Sequence, residues 1–217
     1  MKILISPAKS LDFDSTIDSL KCTQPVFLNK TSEINSVLKE KSPKDLMQLQ
    51  GISQKLSDLN WKRNNDYVDN HNNKNSRPAV YAFNGDVYNG IDVKTLSEDK
   101  VYDLQKSLRI LSGYYGVLKP LDLIQPYRLE MGSNLKNDKG HNLYQYWSDI
   151  VSNNLNLDLE KSKYNKIINL ASVEYSKVIN TKIISADIIN PQFLEEKNNT
   201  LKNVSFFSKK ARGSMAR

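Results

Sequence analysis

The stretch Ser42-Pro43-Lys44-Asp45-Leu46-Met47-Gln48-Leu49-Gln50-Gly51-Ile52-Ser53-Gln54-Lys55-Leu56 holds two helix starts and one helix stop in quick succession. Ser42 suits an N-cap, and Pro43 suits the first helical position, where its missing N–H has no intrahelical partner to lose. Asp45 then completes a variant of the capping box. Gly51 supplies the left-handed residue that ends a helix, because it has no Cβ to clash in that conformation. Ile52 turns inward and Ser53 caps the next helix. Leu46, Leu49, Ile52, Leu56 and Leu59 are expected to pack the two helices together.

The same spacing resembles the helix–hairpin–helix motif, with Leu49, Gly51, Ile52 and Lys55 in its apolar, glycine, apolar and basic places and Ser53 where the motif has a second glycine. In that motif the hairpin amides and the second helix's N-terminus face a phosphate, which is the general physics of anion binding at a helix start. Contacts of this kind hold backbone and not bases, so the binding they predict is independent of sequence and sensitive to salt. An ordinary helical hairpin with a glycine stop reads the same way locally.

Outward from the hairpin, the chain is helical from 29 to 70 in three pieces, at 31–41, 42–50 and 53–69. A polar loop holding His71, expected to be solvent-exposed, follows at 70–77. The flanking parts alternate. Strands are expected at 2–6, 79–83, 108–111, 166–171, 182–186 and 204–208. Helices are expected at 97–107, 143–155 and 172–179, and an extended segment at 127–131. Together these predict one domain over 1–217 in the mixed α/β class, a mixed β-sheet flanked by helices and carrying a helical insertion at 29–70.

The 217 residues carry 31 Lys and Arg against 24 Asp and Glu, a net charge of +7. The excess is uneven: Lys197, Lys202, Lys209, Lys210, Arg212 and Arg217 close the chain without an acid among them. Such a segment favours a polyanion, an acidic partner or plain solvent. One cysteine, Cys22, allows no disulfide within the chain, and the start Met1-Lys2-Ile3-Leu4-Ile5-Ser6-Pro7 is too short for a signal-peptide core, so a cytoplasmic location is expected. With only His71 and His141 beside that cysteine, a transition-metal site is not expected, nor is a cofactor.

Two further motifs bear on chemistry. Ser6-Pro7-Ala8-Lys9 has the Ser-x-x-Lys spacing of penicillin-binding enzymes, but Pro7 interrupts it and the companion motifs are not evident. Lys9 instead follows the first strand at the edge of a cleft, where it can meet an anion. Ser112-Gly113-Tyr114-Tyr115-Gly116 follows a strand but lacks the Gly-Lys-Ser/Thr of a phosphate loop, so a turn is expected. Arg128 and Glu130 share a face if extended, which predicts a structural ion pair. Asp86, Asp122, Glu130, Glu174 and Asp187 are candidate acid/base groups or carboxylate ligands for a hard cation such as Mg²⁺ or Mn²⁺, but spacing alone cannot bring any two together, so no catalytic residue is assigned.

Several blocks resemble the YaaA family, also called DUF328 or UPF0246. They are Met1 to Leu11, Tyr81 to Tyr88, Leu108 to Gly116, Leu118 to Gly132, Asn169 to Tyr175 and Phe206 to Gly213. The resemblance runs the length of the chain and is most specific at Leu118 to Gly132. It implies a bacterial cytoplasmic protein of peroxide stress that lowers the harm done by unincorporated iron. It also implies a mixed α/β fold with a helix–hairpin–helix and a positively charged cleft, and DNA as the partner. Carried over by position, Gly51, Ser53 and Lys55 would make the hairpin's phosphate contact, and Lys9, Arg109, Arg128, Lys209, Lys210 and Arg212 would line the cleft. Family members run some tens of residues past Met215-Ala216-Arg217, so a C-terminal truncation is expected. Three functions follow: a sequence-independent DNA binder, an enzyme on a phosphorylated or nucleotide substrate in the cleft, or an interaction protein docking an acidic partner through its basic end.

Overall fold

The computed structural model describes residues 1–17, 20–162, 165–197 and 199–217. The side chain of Lys197, counted above among the terminal bases, lies outside the described residues.

Lys2–Ile5 (β1) is apolar from its second residue onward without alternation, the pattern of a strand covered on both faces, and all four residues are buried. Lys2 keeps its ammonium satisfied by donating to the Lys106 carbonyl at 2.8 Å. The insertion follows as Leu28–Lys39 (α1), Pro43–Gln50 (α2) and Gln54–Asp66 (α3). Then come Asp86–Ile91 (α4), Glu98–Ser107 (α5), Leu108–Ser112 (β2), Gly116–Leu118 (β3), Leu143–Glu160 (α6), Lys166–Asn169 (β4), Asp187–Ile189 (β5) and Ser205–Ala216 (α7).

The sheet runs β3-β2-β1-β4-β5, parallel except for β3, which returns antiparallel to β2. The register places Leu4 beside Arg109 and Asn169. From the central β1 the chain goes to β2 on one side and later to β4 on the other. The carboxyl ends of β1 and β4 therefore flank a switch in winding direction, where open α/β sheets take ligands. Helices cover the sheet, and α6 buries Leu143, Tyr146, Trp147, Val151, Leu155 and Leu159. The Trp147 indole donates to the Gly113 carbonyl at 2.9 Å, and Gly116, at φ 71°, lies so close that an added Cβ would fall 2.7 Å from the same ring.

Four expectations are corrected here. Of residues 79–83, Ala79–Ala82 form a single helical turn, and only Phe83 enters a strand, the short Phe83–Asn84 paired with Ser10–Leu11. Residues 204–208 lead into α7 and not a strand: the side facing the core is Ser208, Gly213 and Ala216, while Phe206 and Phe207 are exposed. The strand expected at 182–186 lies further on, at β5, where pairing with β4 sets its position. His71 is buried, 3% exposed, with its ring edge-on to Tyr67 and Tyr115, because the polar loop folds back over an aromatic cluster.

The fit of α7 rests on two glycines. A Cβ on Gly213 would lie 1.9 Å from the Val87 carbonyl oxygen of α4, and one on Gly90 would lie 2.2 Å from that of Lys210. No other residue permits this approach, and it carries the basic face of α7 to the carboxyl edge of the sheet.

Candidate functional site

Two features gather the candidate residues. The first is the hairpin between α2 and α3. Ser42 accepts from the Asp45 amide at 3.2 Å, and the Asp45 carboxylate accepts from the Ser42 amide at 2.9 Å, which is the reciprocal capping box. Gly51 stands at φ 59°, ψ 43°, is exposed, and has nothing within 4 Å of where a Cβ would project. The Gly51 and Ile52 amides both donate to the Met47 carbonyl, so the hairpin's own N–H groups are engaged internally. The amides left for an anion are those of the first turn of α3, Gln54 and Lys55, which precede any intrahelical acceptor. Ser53 caps that turn through its hydroxyl, and Lys55 is exposed, with no partner among the described residues.

The packing of α3 differs from expectation. Leu56 and Leu59 are 38% and 42% exposed, and the helix turns Ser57, Asn60 and Asn64 inward. Asn35 of α1 meets that face, donating to the Asn64 carbonyl at 3.0 Å. The hairpin is held by these polar contacts and by Leu46 and Ile52, while two leucines beside Lys55 face outward.

The second feature is a cleft of about 420 Å³ at the carboxyl ends of β1 and β4. The turn after β1 brings Ser6 and Lys9, the turn after β4 brings Ser172 and Glu174, the start of α4 brings Asp86, and α7 brings Lys209 and Arg212. The Ser172 amide donates to Ser6 Oγ at 2.9 Å, and the two hydroxyls are 3.2 Å apart, with Ser6 the donor. The Tyr88 hydroxyl donates to the Ser6 carbonyl at 3.1 Å. Burial raises the Tyr88 and Tyr175 phenols well above their usual range, so both stay protonated. Burial also lowers the Arg212 pKa.

Between cleft and hairpin lies a chain of contacts. Lys9 Nζ meets one Glu130 oxygen at 2.8 Å, and Arg128 meets the other at 3.1 Å. Gln50, next to Gly51, donates to the Arg128 carbonyl at 2.8 Å. The Arg128 Nε is buried without a partner among the described residues, and the pKa of Arg63 on α3 is lowered by burial and by the nearby Arg128 charge.

The structure thus places Lys9, Lys209 and Arg212 in one cleft with Arg128 adjoining, and Gly51, Ser53 and Lys55 on one exposed turn. Arg109 is elsewhere. It is 3% exposed and ion-paired through Nε to Asp158 of α6 at 2.5 Å, with Nη1 donating to the Gln105 and Leu108 carbonyls. Its strand position points it under α6, not toward the carboxyl edge. Lys210 is exposed on α7 but does not line the cleft. The loop at 112–116 is closed by its own serine, whose hydroxyl accepts from the Tyr114 and Tyr115 amides at 3.2 and 3.0 Å. Sequence reasoning missed the pairing of Ser6 with Ser172. The available signal was that each lies at or just past the carboxyl end of an expected strand.

Sheet and cleft define a mixed α/β protein with its ligand-sized opening at the carboxyl edge of a five-stranded sheet flanked by helices. The chain belongs to the family described as peroxide stress protein YaaA, whose model matches residues 1–217. It is 50% identical over 217 residues to a UPF0246 protein of Flavobacterium psychrophilum, covering all of this chain and 85% of the relative. It is 49% identical over the same length to UPF0246 proteins of Idiomarina loihiensis and of a Marinomonas species, covering 84% and 83% of each. No helix among the described residues is long and apolar enough to cross a membrane.

Proposed function

We propose that within its peroxide-stress role the chain binds DNA without regard to sequence, through phosphate contacts made by the turn between α2 and α3. DNA so held would be shielded from iron-dependent oxidative damage, and the setting would be the bacterial cytoplasm. The observation that carries this reading is the open left-handed turn at Gly51 beside the first-turn amides of α3 and the unpartnered Lys55. Those amides and the positive end of the helix dipole favour an anion, and Lys55 adds a full charge. The exposed Gly51 lets a phosphate approach closely, since no Cβ stands in front of the turn.

The test is a fluorescence-anisotropy titration of duplex DNA at salt concentrations from about 50 to 200 mM. The logarithm of affinity is expected to fall linearly with the logarithm of salt. Lys55→Glu is expected to weaken binding to unrelated sequences alike and to reduce the slope by about 1. Affinity that does not change with salt, or that Lys55→Glu leaves untouched, refutes the reading.

A further inference from the structure

The charge pattern of the cleft is unlike that of a nucleic-acid track. A groove that follows a phosphate backbone sets cations along its length. Here Lys9, already paired with Glu130, and Lys209 and Arg212 face an opening that Asp86 and Glu174 also line. Against a polyanion those carboxylates would repel. Against a small ligand they would accept hydrogen bonds from its amino or hydroxyl groups while the cations hold its anionic end. The volume, about 420 Å³, falls in the range of about 300–1,000 Å³ that encloses small molecules. Its place at the switch in winding direction is where sheets of this kind take such ligands.

Three further observations point the same way. Arg212 is half-buried and has no ion-pair or hydrogen-bond partner among the described residues, a costly state that a bidentate phosphate would relieve. Ser6 donates its hydroxyl hydrogen to Ser172, which leaves the Ser172 O–H free to meet a ligand. The Glu174 carboxylate is oriented by the Gly132 amide at 3.0 Å through one oxygen, so its other oxygen has no such engagement.

We propose that this cleft binds a phosphorylated small molecule of nucleotide size, at a site separate from the hairpin. Arg212 and Lys209 take the phosphate, and Asp86, Glu174 and Ser172 take the donor-bearing remainder. The inference does not depend on DNA binding by the hairpin.

The full chain is titrated by calorimetry and thermal shift with adenosine 5′-monophosphate, guanosine 5′-monophosphate, ribose 5-phosphate and inorganic phosphate. At least one organic phosphate is expected to bind saturably at one site and more tightly than inorganic phosphate. Its affinity is expected to fall about tenfold or more in Arg212→Ala and in Lys209→Ala, and to be unchanged in Lys55→Glu. Lys209 is exposed, so its variant keeps the test valid if Arg212→Ala disturbs α7, which circular dichroism reports. The proposal is overturned if no probe binds saturably, if inorganic phosphate binds as tightly as the organic ones, or if both alanine variants bind normally. It is equally overturned if duplex DNA displaces the nucleotide and the two variants weaken DNA in the same proportion, since the cleft would then belong to a polyanion track.

Discussion

Replacing His71 with phenylalanine should make the protein's stability respond differently to acid. Burial lowers the His71 pKa from 6.5 to about 4, and neither ring nitrogen has a hydrogen-bond partner among the described residues. The folded state therefore resists a proton that the unfolded chain accepts below about pH 6.5. The stability His71 contributes is whole above that pH and drains away as pH falls toward about 4. From pH 7 to pH 5 the linkage gives a loss of about 2 kcal/mol, which solvent screening of the ring trims to about 1–2 kcal/mol. Asp122 opposes it. That carboxyl is 2% exposed, and burial raises its pKa to about 6 in spite of hydrogen bonds from Thr23 and the Lys119 amide. Because the folded state holds this proton more tightly than the unfolded chain, stability grows by about 1 kcal/mol over the same descent. The two nearly cancel, so the wild-type protein alone shows little change. Urea denaturation of wild type and His71→Phe at pH 7 and pH 5 isolates the histidine. The variant's advantage should widen by about 1–2 kcal/mol at pH 5. An advantage equal at both pH values would show that His71 takes up protons freely in the fold and would refute its burial.

Two more outcomes follow from packing. Gly213→Ala forces a methyl group against the Val87 carbonyl and should destabilise by about 3 kcal/mol or more, read as a lowered urea midpoint, with loss of any cleft ligand that needs α7 in place. Arg109→Ala leaves the half-buried Asp158 carboxylate without its arginine and should cost about 2–3 kcal/mol in thermal or urea unfolding. The double replacement Arg109→Met with Asp158→Leu should recover most of that loss while DNA affinity stays at the wild-type value, as expected of an arginine with no ligand to hold.

Local devices were legible. Both ends of α2 and the start of α3 come from Ser42, Pro43, Asp45, Gly51 and Ser53, each acting within one helical turn, and the structure reproduces these to within one residue, whereas α3 ends at Asp66, three residues before the expected 69. The uninterrupted apolar run of β1 and the strand at β2 were equally plain, since burial on both faces leaves a mark in consecutive residues. The Arg128–Glu130 pair was visible for the same reason, its partners being two residues apart.

What tertiary structure decided is everything that depends on which surfaces meet. Arg109 finds its carboxylate 49 residues later, across the layer between sheet and α6, and no spacing rule reaches that far. Ser6 and Ser172 join only because β1 and β4 lie side by side. His71 is buried by rings from both sides of the sequence, although its own neighbours are polar. The sheet's pairing order, and not any local pattern, gathers Lys9, Lys209 and Arg212 from the two ends of the chain into one cleft. Caps and periodicity act over a few residues and are written in them, whereas a cleft forms from contacts among segments that do not specify one another locally.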